Sequence, residues 1–73
     1  MLSACLIGYG YWGSKLARNF QNSESFDLVS IVDNKKKNLN LAKKNYQLIK
    51  TYKNYKLAIK DNNIDLIIIS TPT

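Results

Sequence analysis

The hexapeptide Gly8-Tyr9-Gly10-Tyr11-Trp12-Gly13 narrows the possible folds more than any other part of the chain. It separates two stretches of different periodicity. Before it, Leu2 to Ile7 is an uncharged apolar run, the pattern of a strand buried on both faces. After it, Gly13, Leu16, Ala17 and Phe20 fall on one face of a helix reaching Asn22, with Lys15, Arg18 and Asn19 directed elsewhere. A chain that passes from strand to helix through three glycines belongs to a small set of α/β turns.

Spacing of the form G-x-G-x-x-G is weak by itself and gains weight from its surroundings. A second apolar run, Phe26 to Val32, ends on Asp33, twenty residues after Gly13. Each residue then has a physical task. Gly8 permits a tight turn, Gly10 lets the backbone approach a pyrophosphate, and Gly13 lets the helix pack closely on the strand. Backbone N–H groups around Tyr11 and Trp12, at the positive end of the helix, receive phosphate oxygens. Asp33, with Asn34 beside it, accepts hydrogen bonds from the adenosine ribose. The plainer reading is that the glycines only shape a turn and that Asp33 or Asn34 caps the next helix.

The remaining pattern repeats the alternation. Lys35 to Tyr46 reads as a helix with Leu39, Ala42 and Tyr46 inward, and Leu48 to Tyr52 as a short strand. Asn54 caps a third helix to about Lys60, with Leu57, Ala58 and Tyr55 inward. Asp65 to Ser70 is the most strongly buried-looking strand, and Thr71-Pro72-Thr73 leaves it. The order βαβαβαβ predicts parallel strands joined by right-handed crossovers. The expected fold class is α/β, a partial Rossmann fold with strand order 3-2-1-4. In that order the crevice between the first and fourth strands is the switch point where ligands bind. Ser70, Thr71 and Pro72 are then expected near the nicotinamide half of a cofactor, or else mark a simple strand exit.

Composition excludes several chemistries. The 73 residues contain no histidine and one cysteine, Cys5, so Ser-His and Cys-His nucleophile pairs, Cys/His zinc fingers and internal disulfides are ruled out. No catalytic and no metal-binding residue is assigned. The longest aliphatic run, Leu66 to Ile69, is far below the ~20 residues of a membrane span. With no signal peptide visible, a soluble cytoplasmic domain is expected. The net charge of +6 is lopsided: residues 1–34 carry −1 and residues 35–73 carry +7. Because the basic residues are lysines except for Arg18, this reads as a solvated surface with no dedicated nucleic-acid partner. A carboxylate at Asp33 repels the 2′-phosphate of NADP, so NAD is expected over NADP, with Lys35-Lys36-Lys37 offsetting part of that repulsion.

At this point the chain resembles a known family. Gly8 to Gly13 continuing into Leu16-Ala17-Arg18-Asn19-Phe20, then Val32-Asp33, Tyr52-Lys53-Asn54-Tyr55 and Asp65 to Pro72, are similar to the N-terminal segment of the glucose–fructose oxidoreductase/inositol dehydrogenase (Gfo/Idh/MocA) family. The Tyr-Trp loop followed by Arg-Asn-Phe looks most like members acting on nucleotide-linked amino sugars. The resemblance implies a two-domain NAD(P)-dependent oxidoreductase that moves hydride between a sugar carbon and the nicotinamide. The family's Glu-Lys-Pro motif, its catalytic histidine and its substrate domain have no counterpart in residues 1–73. Those residues are therefore expected to be a truncated dinucleotide-binding domain. Leu66 to Ile69 is expected to form an apolar edge through which the chain self-associates. Two other classes remain open: a nucleotide-sensing regulatory module without catalysis, and a scaffold fragment that binds no ligand.

Overall fold

The computed structural model describes residues 1–61 and 63–70. Seven elements alternate along them: β1 (Leu2–Ile7), α1 (Tyr11–Gln21), β2 (Phe26–Val32), α2 (Lys36–Asn45), β3 (Lys50–Tyr52), α3 (Tyr55–Asp61) and β4 (Leu66–Ile69). The strands form one parallel sheet in the order β3-β2-β1-β4, the order read from the sequence. Ile7 pairs with both Val32 and Ile69, and Val32 pairs with Tyr52. All four strands therefore finish level, and the loops that follow them gather at one edge of the sheet. Between Ala4 and Cys5 the register shifts, so that Val29 of β2 is passed over.

Side chains alternate across the strands and so build a core on each face. On the face covered by α1 and α2, Ala4, Leu6, Leu28 and Ile31 pack with Ala17, Leu39, Ala42 and Ile49. Leu16, Phe20, Tyr46, Leu66 and Ile68 close the margins of this cluster. Phe20 meets Phe26 edge to face at 5.2 Å, which ties the end of α1 to the start of β2. The opposite face carries a smaller cluster of Cys5, Val32 and Ala58, with Ile7, Tyr52 and Ile64 around it. Burial pushes the Cys5 thiol up, and the Ser30 hydroxyl beside it offsets part of that rise. Ser30 Oγ has no nitrogen or oxygen partner among the described residues, and a thiol is at most a weak one.

Three expectations are corrected in detail. Leu48 is 98% exposed and lies outside β3, while Ile49 enters the core instead. On α3 only Ala58 is buried; Leu57 and Tyr55 are about half exposed, because a seven-residue helix lying on one sheet face turns a single narrow stripe inward. β4 alternates half-buried and exposed residues instead of being buried throughout. Leu66 and Ile68 pack toward α1 and α2, while Ile67 and Ile69 point to the other face at the sheet's edge. At its start β4 is registered by Asp65, whose N–H donates to Ser3 O (2.9 Å) while its Oδ2 accepts from Ser3 N (2.8 Å).

Candidate functional site

The edge where the strands end is occupied by the glycine loop. Gly8 has φ 100°, in the left-handed region that side chains avoid, and its N–H donates to Val32 O at 2.7 Å. Gly13 sits against the loop: a Cβ there would overlap the Gly8 carbonyl oxygen and stand 2.8 Å from its carbon. Gly10 is different. It takes the N-cap position of α1 with φ −85°, and a Cβ there would meet nothing within 4 Å. The first intrahelical bond runs from Ser14 N to Gly10 O, so the N–H groups of Tyr11, Trp12 and Gly13 project from the helix end. With no acidic residue in that first turn, the end remains electropositive.

Asp33 closes the loop from the β2 side. It is 9% exposed. Its Oδ2 accepts from Tyr9 N (2.8 Å) and Asn38 Nδ2 (3.0 Å), and its Oδ1 accepts from Lys35 N (2.8 Å). Burial alone raises the carboxyl, but these three donors and the Lys35 charge outweigh it and hold the group below the ordinary carboxylate range. Neither Asp33 nor Asn34 caps α2. Lys35 occupies that position with an extended backbone and no side-chain cap bond, because the Asp33 carboxylate is engaged in the turn and the loop.

A cleft of about 560 Å³ opens here. Gly8, Gly10, Asp33, Asn34 and Ser70 all line it, as do Lys35, Asn38, Lys53, Asn54 and Tyr55, which the sequence did not assign to cofactor binding. That size is sufficient for a small-molecule ligand. Gly13 lies behind the loop, buried. The side chains of Tyr11 and Trp12 are about 70% exposed and stand outside the cleft, edge to face at 5.6 Å with Lys15 Nζ over both rings. Thr71 and Pro72 lie outside the described residues. The Lys53-Asn54-Tyr55 contribution follows from topology, since the loop after β3 ends beside the loop after β2 in a parallel sheet. Asn54 itself caps α3 by accepting from Lys56 N at 2.7 Å. No helix of the described residues is long and apolar enough to cross a membrane.

The family model for Gfo/Idh/MocA, the oxidoreductase family with an NAD-binding Rossmann fold, matches residues 2–73. The chain belongs to that family. Among solved structures, this Gfo/Idh/MocA chain is similar to myo-inositol 2-dehydrogenase from Lactobacillus plantarum, with 37% identity and a TM-score of 0.87 over 99% of this chain and 22% of that one. Two others share the fold. Scyllo-inositol dehydrogenase from Lactobacillus casei, with bound NAD(H) and scyllo-inositol, has 19% identity and a TM-score of 0.87 over 99% and 22% of the two chains. An oxidoreductase from Agrobacterium radiobacter, in complex with NAD+, L-tartaric acid and magnesium, has 21% identity and a TM-score of 0.87 over 97% and 21%. No curated protein matches. The chain spans about a fifth of the length of these structural relatives.

Proposed function

We propose that this chain binds NAD in preference to NADP and is the cofactor-binding part of an oxidoreductase acting on a sugar or nucleotide-sugar hydroxyl or keto group. The pyrophosphate is assigned to the loop of Gly8, Gly10 and Gly13 with the N–H groups of Tyr11 and Trp12. The adenosine ribose is assigned to Asp33 and Asn34, and the nicotinamide half to the β1–β4 crevice at Ser70, Thr71 and Pro72. Residues 1–73 are then the first part of a dinucleotide-binding domain whose substrate domain lies elsewhere. Its setting is the cytoplasm, where Cys5 stays a free thiol.

One observation carries this reading. Gly8 is required by its backbone conformation and Gly13 by the room it leaves for Gly8, but the fold requires no glycine at position 10. Its missing side chain serves a group that approaches from the cleft, at an electropositive helix end. An anion fits that position, and a phosphate is the anion such helix ends commonly hold. When bound, the nicotinamide supplies the hydride chemistry. The chain's own residues bind and orient it: the loop N–H groups hold the diphosphate, and Asp33 holds one end of the molecule. Lys35 and Lys53 line the same cleft and add positive charge to its wall.

Isothermal titration with NAD, NADP and ADP tests the reading. The expected result is binding of all three, with NAD tighter than NADP. Absence of heat with every one of them at millimolar concentration would overturn it.

A further inference from the structure

Tyr9, between two flexible glycines, is held from three directions. Its ring is 2% exposed and meets Tyr46 edge to face at 6.5 Å. Its hydroxyl accepts a hydrogen bond from Asn45 Nδ2 at 2.9 Å. Its backbone N–H donates to Asp33 Oδ2 at 2.8 Å, directly after the Gly8 N–H donates to Val32 O. Two successive residues of the loop are thus bonded to two successive residues at the end of β2.

The carboxylate that receives Tyr9 is already well occupied. A carboxylate offers about four lone-pair positions. Tyr9 N, Asn38 Nδ2 and Lys35 N take three of them, leaving one position on Oδ1. A ribose can therefore place one hydroxyl there, not the pair that would grip both oxygens.

We propose that Asp33 is a positioning residue for the glycine loop, and that its grip on the Tyr9 N–H contributes more to ligand binding than its contact with ribose hydroxyls. The proposal rests on the dinucleotide reading above. Without the clamp, Gly8 and Gly10 give the loop many conformations, and ordering them falls to the ligand. An amide cannot replace the carboxylate, because its NH2 would face at least one of the three N–H donors.

The test pairs Asp33→Asn with two ligands, ADP and 2′,3′-dideoxy-ADP, which lacks the hydroxyls a ribose contact requires. The expected result is that the substitution weakens both ligands by the same factor, about tenfold. Weakening of ADP alone, with dideoxy-ADP unchanged, overturns the proposal and leaves Asp33 as a ribose contact; so does no change with either ligand. If the unsubstituted chain binds neither ligand, the dinucleotide reading fails and this proposal with it.

A second measurement does not depend on the folding of that variant. Asn38→Leu keeps the Asp33 charge but removes one of the groups that aim Oδ2. Amide hydrogen exchange without ligand is expected to show faster exchange at Tyr9 N–H in Asn38→Leu than in the unsubstituted chain, with the β1 amides unchanged. Equal Tyr9 protection in the two chains overturns the clamp.

Discussion

A β-carbon built on Gly13 would overlap the carbonyl oxygen of Gly8, across the turn that joins β1 to α1. The obstacle is backbone, which cannot rotate aside as a side chain can. Gly13→Ala must therefore push α1 away from the sheet or deform a turn already held at positive φ. Overpacking of this kind destabilises by about 1–3 kcal/mol. For a chain of this size that is a fall in Tm on the order of 10 °C. Thermal unfolding followed by circular dichroism measures it, and an unchanged Tm would mean that the loop does not pack as described.

Gly10→Ala is expected to behave in the opposite way. Its φ of −85° suits any residue and its Cβ meets no neighbour, so the Tm should stay within ~2 °C of the unsubstituted chain. Affinity for NAD should fall by about tenfold or more, since the new methyl group stands where the backbone is to approach the pyrophosphate. Calorimetric titration of the two chains decides it.

Stability should depend on acid through Asp33. Its folded-state value is depressed, so its stabilising contribution is fully present above the ordinary carboxylate value near ~4. That contribution is lost as the pH falls through the lower folded-state value. With no histidine in the chain, no side-chain imidazole adds a step between pH 5 and 8. The Tm is expected to be nearly level over that range and to fall below pH ~4, with Asp33→Asn flattening the fall. Thermal melts of both chains between pH 2 and 7 provide the comparison.

The exposed row on β4 carries a prediction about association. Ile67 and Ile69 are 41% and 69% exposed on the outermost strand, an apolar edge of the kind on which chains pair. Sedimentation velocity should show concentration-dependent self-association, and Ile69→Lys should reduce it while leaving the half-buried Leu66 and Ile68 in place. A strictly monomeric species at high concentration would count against self-association through this edge.

Much of the fold was legible because its signals are local and periodic. The apolar run before Gly8, the stripe of Gly13, Leu16, Ala17 and Phe20, and the run ending at Asp33 each report burial on a known face. Parallel pairing then follows from alternation alone. What local pattern could not supply is how much cover each face receives. Leu57, Ile67 and Ile69 are as apolar as Leu6 or Ile31, yet they stand 41–69% exposed because the described residues cover them only in part. Leu48 and Ile49 show the same limit at single-residue scale: neighbours of nearly equal hydrophobicity, one in solvent and one in the core.

The candidate site divides the same way. The three glycines and Asp33 could be named from their spacing, since tight turns, close approaches and a strand-end acid each demand particular residue types. Their separate tasks were also legible there, as a tight turn, a close approach and a close helix packing. The tertiary structure supplies the atoms behind them: Gly8 answers a backbone angle, Gly13 a neighbouring carbonyl, and Gly10 neither. It alone brings Asn38, Lys53 and Tyr55 to the cleft and turns Asp33 toward Tyr9. By itself the sequence determined which elements form and in what order, because periodicity and turn chemistry are written along the chain. Which polar groups meet was decided by the packing of β2, α2 and the glycine loop, because hydrogen bonds between residues 24 apart depend on register and angle, which no local pattern encodes.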